Sequence, residues 1–380
     1  MTIWDEIING ESKVLEFKEE LPKSKQIAKT AISFSNTAGG KLVIGVSDDR
    51  EIVGMDFDDI FALQDSVTSM IVDQVSPLII PEMYTMNHQG KIILVIKFYR
   101  GTLQPYYLKS KGRENGVYVR IGAINRPADQ EIISELLRNR TNSSFDEELR
   151  FDIETEDLNF EVIEKQFSVK KLEFSEQKLL GLRLLRTEMG RIVSTNALLI
   201  ALGKRDNCRL LCARFQNGSK HVFLDKKEFE GDIFYLFEKG LQFILGHLHT
   251  HVKIEGVQRE EYPEIPIIAL REGLMNALIH RDYSRLGRAV KISINSEMVE
   301  IVSPGGFPNS ITAIDIEEGR SECRNRILAK LMKQLGFIEQ WGTGIERIRQ
   351  ACEEQELIQP SIQERGDFVV FNFYRLAIDS

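Results

Sequence analysis

The segment from Arg271 to Tyr283 reads REGLMNALIHRDY and carries three polar side chains on an otherwise apolar helical pattern. Glu272, Asn276 and His280 follow one another at intervals of four residues, so they project from nearly the same face of the predicted helix. Apolar side chains occupy the other faces, so we expect the helix to be packed on more than one side. A polar stripe on such a helix costs free energy unless its groups have partners. The fold must therefore give this face either a polar ligand or a solvent cleft.

A hydrated magnesium ion that carries a nucleotide phosphate would satisfy such a face. Magnesium takes a few oxygen ligands and keeps several waters, which suits the single amide oxygen of Asn276. Glu272, one helical turn away, is placed to orient or deprotonate the water that attacks a terminal phosphate. The alternative is a helix whose polar residues only face solvent, and the motif alone does not decide between the two.

Two glycine turns follow the helix. Strand-like segments at 290–295 and 298–302 form a predicted hairpin, which runs into Ser303 and the pair Gly305-Gly306. Adjacent glycines after a strand allow a positive φ and the close approach of a ligand. Farther on, Gly342-Thr343-Gly344 opens a predicted helix, where backbone N–H groups can face an anion. Each turn alone is compatible with an ordinary hairpin or cap, but their order after the polar helix predicts a phosphate-binding pocket.

In this order the motifs resemble those of the GHKL ATPases, the fold shared by gyrase B, MutL and histidine kinases. Glu272 and Asn276 match the family's N box, in which the glutamate activates water and the asparagine binds magnesium. The two glycine turns match its glycine boxes, and the whole pattern is similar to a divergent branch found in RecG-like helicases and transcriptional regulators. The resemblance implies a C-terminal Bergerat-type α/β sandwich that binds ATP and Mg2+, with His280, Ser303 and Thr343 also beside the nucleotide.

Ser303 departs from the GHKL pattern. These enzymes usually place an aspartate two residues before the first glycine, where it accepts a hydrogen bond from the adenine amino group. A serine hydroxyl can still accept that bond, but the charged anchor is missing. The sequence therefore predicts phosphate and magnesium binding with a weakened adenine anchor.

Composition limits the location and the partners of the protein. A net charge of −8 argues against a protein that coats nucleic acid indiscriminately. No apolar run approaches the length of a membrane span, and the first residues lack the basic and apolar regions of a signal peptide, so we expect a cytoplasmic protein without membrane contact. The four cysteines lack zinc-finger spacing and are expected to be reduced thiols.

A local basic segment nevertheless runs from Lys97 to Arg140. It holds nine basic residues against four acidic ones, and Tyr106, Tyr107 and Tyr118 lie among the bases. Cations interleaved with aromatic rings are typical of a nucleic-acid surface, although scattered, solvated charges are the alternative. The candidate nucleic-acid contacts are Lys109, Lys111, Arg113, Arg120 and Arg126.

Residues 1–140 predict an α+β domain, with helices at 26–36 and 60–75 and strands at 41–46, 91–98 and 117–121. Carboxylates and a lysine around one strand edge can hold a divalent metal for phosphodiester cleavage. The alternative is ordinary surface carboxylates in an acidic protein. The candidates for a possible nuclease site are Glu11, Glu16, Lys18 and Asp48.

The same residues lie in a pattern that resembles the AlbA-like domain of Schlafen proteins. It comprises Glu11, Glu16 and Lys18, then the run from Ser33 to Val46, and the segments around Tyr118 and Arg126. In the RNA-cleaving Schlafens two glutamates and an aspartate bind the metal, which implies Glu11, Glu16 and Asp48 here. Many bacterial relatives are described only as nucleic-acid-binding or regulatory proteins.

The middle of the chain is predicted to connect two domains. Residues 141–174 are charged and interpreted as a connector, and residues 175–380 as the ATP-binding domain with its N-terminal extension. Helices are predicted at 175–186, with Ser175 as N-cap, and at 232–246. His247, His249 and His251 invite a metal-site interpretation, but without further ligands we favour ordinary contacts at a helix end.

The sequence as a whole predicts an ATP- and Mg2+-binding GHKL-type protein that acts on DNA or RNA through a Schlafen-like N-terminal domain. One form of this hypothesis is an ATPase that gates a metal-dependent nuclease, for which the resemblance implies a role in anti-phage (antiviral) defence. The alternative is a non-catalytic, nucleotide-sensing, DNA-binding transcriptional regulator. GHKL relatives often dimerise when the lid closes over the phosphates, so an ATP-linked homodimer is also expected.

Overall fold

The computed structural model describes residues 2–55, 59–216, 222–255, 258–308, 311, 315–316, 320, 322–338 and 344–375, without the side chains of 251–255 and 258–262. The chain divides into two compact units, one containing residues 1–143 and the other residues 144–308 and 313–380. Both units combine helices with β-sheets, which confirms the predicted α+β class. Among the described helices, none has the length and apolarity needed to cross a membrane.

The first unit is built on a four-stranded sheet with two short strand pairs beside it. Its helices are α1 (Ile3–Asn9), α2 (Ser24–Asn36), α3 (Ile60–Gln74), α4 (Gly112–Asn115) and α5 (Gln130–Arg140). Its strands are β1 (Leu15–Lys18), β2 (Gly40–Ile44), β3 (Val75–Ser76), β4 (Glu82–His88), β5 (Lys91–Phe98), β6 (Tyr107–Leu108), β7 (Tyr118–Ile121) and β8 (Ile124–Pro127).

The four-stranded sheet has the order β1-β2-β5-β4. Helices cover both of its faces. Leu42 and Ile44 of β2 enter a core with α2 and α3, whereas Val43 points to the opposite core with α1. This alternation follows from the two-residue period of a strand. The parallel pairing of β1 with β2 places Glu16 opposite Leu42 in the register. The strand that carries Glu16 and Lys18 therefore lies at the edge of this sheet.

The second unit contains a six-stranded sheet, a three-stranded sheet and a hairpin. Its helices are α6 (Glu161–Val169), α7 (Glu176–Gly181), α8 (Asn196–Ala201), α9 (Ile233–Leu245), α10 (Ile267–Ile279), α11 (Arg326–Gln334) and α12 (Gly344–Glu354). Its strands are β9 (Leu149–Arg150), β10 (Leu185–Glu188), β11 (Arg191–Thr195), β12 (Arg209–Phe215), β13 (Phe223–Glu230), β14 (Thr250–Glu255), β15 (Gln258–Pro263), β16 (Val290–Ile294), β17 (Met298–Pro304), β18 (Ser361–Arg365) and β19 (Phe368–Tyr374).

The six-stranded sheet has the order β13-β12-β16-β17-β19-β18 and is antiparallel except between β12 and β16. Helices α9 and α10 pack on it, and α12 packs on α10. Leu236 and Leu274 from the two helices share one core with Leu210, Ile292 and Phe373 from the strands. The apolar side of α10 packs against the sheet and against α9. This packed core fixes the position of the polar face of α10.

Helix α10 is shorter than the segment in which it was predicted. It ends at Ile279, and His280 is its C-cap residue. Asn325 Nδ2 donates to the Ile279 carbonyl at 2.7 Å, and the Tyr283 hydroxyl donates to the Leu278 carbonyl at 2.9 Å. Side chains that satisfy the last carbonyls stop the helix at this point.

The segment interpreted as a charged connector is structured within the second unit. Residues 149–150 form β9 and residues 161–169 form α6. Ile163 and Phe167, one helical turn apart, are fully buried in the main core of the unit. The charged residues of this segment lie largely on its exposed side. The charge content of the sequence therefore did not reveal that its other side is apolar and buried.

Candidate nucleotide site and candidate nucleic-acid surface

Glu272 and Asn276 meet on the half-buried face of α10. Asn276 Nδ2 donates a hydrogen bond to Glu272 Oε1 at 3.2 Å. This bond turns the amide so that Oδ1 faces away from the carboxylate, and no partner of Oδ1 is found among the described residues. An amide oxygen presented in this way is a suitable ligand for a hard cation.

The N-terminus of α12 lies against the Glu272 carboxylate. Gly344 is the first residue of α12, and a Cβ atom on it would overlap Glu272 Oε1. A carboxylate at a helix N-terminus is favoured by the helix dipole. The structure thus brings Glu272, Asn276 and Gly344 together. Gly342 and Thr343 lie outside the described residues.

Gly305 and Gly306 at the end of β17 also make room for carboxylates. Gly305 has a φ of +96°, and a Cβ atom on it would lie 2.7 Å from the Cβ of Asp282. A Cβ on Gly306 would overlap Glu364 Oε1, which accepts a hydrogen bond from Phe307 N at 3.2 Å. In this structure the first glycine turn therefore admits acidic side chains.

Asp282 is the centre of an ion-pair network beside Gly305. It accepts a hydrogen bond from Arg285 Nε at 3.0 Å and lies 3.4 Å from Arg324 Nη1, while Arg285 and Arg288 each reach Asp367 at 3.3 Å. Burial alone would raise the pKa of Asp282, but the nearby Arg324 and the bonds from Ser284 and Arg285 lower it overall. Asp282 is therefore an ionised, buried carboxylate.

Ser303 and His280 have restricted roles at this site. The Ser303 hydroxyl, 5% exposed, donates to the Ala277 carbonyl at 2.7 Å, so only its oxygen lone pairs remain for a ligand. Burial, with a smaller contribution from Arg324, lowers the pKa of His280 to about 4. The imidazole is consequently neutral at physiological pH.

In the first unit, Glu16 is held by a buried cluster. Its carboxylate pairs with Arg120 and accepts hydrogen bonds from Asn125 Nδ2 at 3.1 Å and from Thr30 Oγ1 at 3.3 Å. Arg120 is 2% exposed and also donates to the carbonyls of Ser12 and Leu15. Arg120, predicted to contact nucleic acid, instead ties β1 to the β7–β8 hairpin.

The other candidate acids are placed differently. Glu11 accepts a hydrogen bond from Phe17 N at 2.9 Å, and Lys18 Nζ lies 3.8 Å from both Glu11 and Glu16. Asp48 is exposed. Among the described residues, no group of three or more His, Cys, Asp or Glu side chains is arranged to hold a metal. The metal role of Glu11, Glu16 and Asp48 stays a prediction.

Exposed and half-buried basic residues gather around two tyrosine rings. Lys29 Nζ and Lys111 Nζ lie 5.2 Å and 5.7 Å from the centre of the Tyr118 ring, and the Arg113 guanidinium lies 6.0 Å from that of Tyr107. Arg126 is exposed on β8, and Lys109 donates to the Val72 carbonyl at 2.7 Å. Sequence reasoning missed Lys29, although its spacing of four residues from Lys25 on α2 was a usable signal.

Local contacts account for His247, the first histidine of the pattern. His247 Nδ1 is 3.0 Å from the Phe243 carbonyl and its Nε2 is 3.1 Å from Asp225. The side chain of His251 lies outside the described part of the chain. The four cysteines are free, and burial raises the pKa of Cys208 to about 11 and of Cys212 to about 12. These thiols are structural, as predicted.

Two family models match separate parts of this chain. Residues 11–129 match the Schlafen AlbA_2 model, and residues 287–373 match the model described as "Putative ATP-dependent DNA helicase recG C-terminal". The first match includes Glu11 and Glu16, and also Tyr118 with the two lysines at its ring, Lys29 and Lys111. The second covers β16, β17, β18, most of β19 and both glycine turns, but not β12 or β13, and it begins after the segment with Glu272 and Asn276. No curated protein matches the chain.

Two solved structures match the chain, and the first of them is similar to it in fold. The crystal structure of the DIP2311 protein from Corynebacterium diphtheriae has a TM-score of 0.53 at 22% identity, covering 96% of this chain and 75% of that chain. The NMR structure of the N-terminal domain of a RecG-related protein from Nitrosomonas europaea is 27% identical, covers 33% of this chain and 89% of that chain, and has a TM-score of 0.27.

Proposed function

From a chain that joins a Schlafen AlbA_2 domain to a RecG-type C-terminal domain, we propose a nucleic-acid-binding protein whose binding is controlled by ATP. The proposal rests on the position of Glu272, which contacts both Asn276 and the N-terminus of α12. Its carboxylate holds the amide of Asn276 and lies against the first residue of α12. A nucleotide phosphate bound between α10 and α12 would therefore touch the residue that activates water and the helix that closes the site.

The residues present fit a magnesium ion bound with ATP. The Oδ1 atom of Asn276 is the oxygen that would hold it, because the amide nitrogen is engaged by Glu272. When bound, the ion would neutralise phosphate charge and assist hydrolysis as a Lewis acid. Glu272 would accept the proton of the attacking water.

Adenine recognition in this proposal is weaker than in relatives with an aspartate anchor. The Ser303 oxygen can accept a hydrogen bond from the adenine amino group, but its own proton is committed to Ala277. Asp282, a buried carboxylate beside Gly305, is already bound by Arg285 and Ser284. We therefore expect modest selectivity between ATP and GTP.

In the first unit, we infer binding rather than cleavage of nucleic acid. The Glu16 carboxylate is committed to Arg120, Asn125 and Thr30, which supports a structural role for it. The half-buried Lys29 and the exposed cations Lys111, Arg113 and Arg126 supply the phosphate contacts. These contacts favour the hypothesis of a DNA-binding regulator over that of a metal-dependent nuclease. ATP-linked dimerisation remains part of the same proposal.

ATP turnover tests this proposal. We expect Glu272→Ala to lower Mg2+-dependent hydrolysis by about a hundredfold or more, the usual contribution of a general base, while nucleotide still binds. Asn276→Ala should weaken Mg2+-ATP binding itself. Glu353→Ala, an exposed glutamate on α12, is the matched control. Hydrolysis by Glu272→Ala equal to that of the wild type, or a wild type that binds no nucleotide, would reject the proposed site.

A further inference from the structure

Residues 149–195 form a helix–turn–helix with a β-hairpin behind it. Strand β9 precedes α6 and α7, and the hairpin β10–β11 follows them. The hairpin returns to the first strand, because β11 pairs antiparallel with β9 in a sheet of order β10-β11-β9. A second helix followed directly by a hairpin is the arrangement in which many proteins present a helix and a wing to a DNA duplex.

A packed core fixes the two helices and the hairpin relative to one another. Ile163 of α6, Leu179 of α7 and Leu185 of β10 are buried in the same cluster. Phe174, between the helices, packs edge-on against Phe167 with ring centres 5.7 Å apart. The outer surface of α7 and the hairpin is therefore held rigidly, as a recognition surface requires.

That outer surface is basic. Its cations, which are exposed or half-buried, outnumber its two acids, Glu176 and Glu188. Two of these cations, Arg183 and Arg191, have no acidic partner among the described residues. Met189 at the hairpin tip is fully exposed. The cations are Lys178, Arg183, Arg186 and Arg191, joined by Lys330, whose Nζ donates to the Gly181 carbonyl at 2.7 Å.

We propose that α7 and the β10–β11 hairpin form a second nucleic-acid-binding surface, specific for duplex DNA. Helix α7 enters the major groove, and the hairpin, with Met189 at its tip, reaches the adjacent minor groove. The major groove of B-form DNA admits a helix, whereas that of duplex RNA is too narrow. Residues 176–191 contain no aromatic side chain, so they lack the stacking platform that single-strand binding uses. This surface lies outside the first unit, so it goes beyond the proposed function.

Salt-dependent binding of a fluorescent 20-base-pair DNA duplex to the full chain tests the inference. The hairpin variant combines Arg183→Ala, Arg186→Ala and Arg191→Ala. A matched control removes the same charge from the exposed residues Lys226, Lys227 and Lys291. A third variant combines Lys29→Ala, Lys111→Ala and Arg113→Ala in the first unit. Because these side chains are exposed, apart from the half-buried Lys29, thermal melting should show that each variant folds.

The hairpin variant should bind the duplex at least about tenfold more weakly, with a slope of log K against log salt reduced by about two to three, since each lost phosphate contact removes about 0.9. Binding by the hairpin variant equal to that of the control overturns the inference. If only the first-unit variant then loses affinity, the proposed function stands. Loss confined to the hairpin variant supports the inference and rejects the first-unit surface.

Discussion

At the scale of single residues, the candidate site depends on glycines that leave space for carboxylates. Gly305 lies against Asp282, and Gly344 lies against Glu272. In both places a Cβ atom has no room, and at Gly305 the positive φ adds a second requirement for glycine. The glycine turns are therefore needed by the protein itself, in addition to any approach of a phosphate.

Replacing Gly344 should disturb Glu272 specifically. We expect Gly344→Ala to displace the carboxylate and to lower Mg2+-ATP hydrolysis at least about tenfold, at a stability cost of roughly 1–3 kcal/mol for an overpacked contact. Turnover and urea denaturation measure the two effects. Gly181→Ala is the control, because a Cβ there meets nothing within 4 Å. Unchanged turnover in Gly344→Ala would show that the contact has no role in hydrolysis.

The Glu16–Arg120 pair should act as a structural clamp in the first unit. We expect Glu16→Ala to lower the free energy of unfolding by about 3–5 kcal/mol, since it leaves the Arg120 charge buried without its main partner. The double variant Glu16→Ala with Arg120→Met should recover much of that loss. Urea unfolding of both variants measures it, with Glu11→Ala as a control at a more exposed acid. A stable Glu16→Ala protein would contradict the clamp.

At the scale of elements, helix ends are fixed by side chains from distant parts of the chain. Asn325 stops α10, and Asp146 caps α11 by accepting a hydrogen bond from Leu328 N at 2.8 Å. Asp146 is 0% exposed, and burial raises its pKa to about 6, with Ser144 and the α11 backbone opposing the shift. The segments that contain Asp146, Ile279 and Asn325, far apart in sequence, thus meet around α10 and α11.

Asp146 should make the stability of the second unit depend on pH. Because its folded pKa lies above the ordinary 3.8, its contribution is fully present below pH 3.8 and is lost as pH rises through about 6. We expect the wild type to lose about 3 kcal/mol relative to Asp146→Asn between pH 4 and 7. Chemical denaturation across this range, with the exposed Asp206→Asn as control, measures it. Parallel pH profiles for wild type and Asp146→Asn would contradict the shift.

At the scale of the whole molecule, local patterns in the sequence predicted several of the long helices and strands that build the two cores. Strand β5 and helix α9 lie where alternating and helical apolar patterns placed them, because burial of one or two faces determines those patterns. The second unit was underestimated at residues 144–174, where charges conceal the buried pair Ile163 and Phe167.

The site was predicted in part for the same reason. Glu272 and Asn276 are neighbours on one helix, so their spacing alone placed them together. The contact of Asp282 with Arg324 joins residues far apart in the chain, and the burial of Arg120 depends on Glu16 in another strand. A sequence pattern reports charge, but tertiary packing decides whether that charge faces solvent.

A binding measurement with and without Mg2+-ATP tests the proposed coupling between nucleotide and nucleic acid. Affinity for a labelled nucleic acid should change by about 5- to 150-fold when a nonhydrolysable ATP analogue saturates the wild type, the usual range of a coupling free energy. Asn276→Ala should abolish the change, and Glu353→Ala should keep it. An affinity that stays the same in the presence of bound nucleotide would contradict the account.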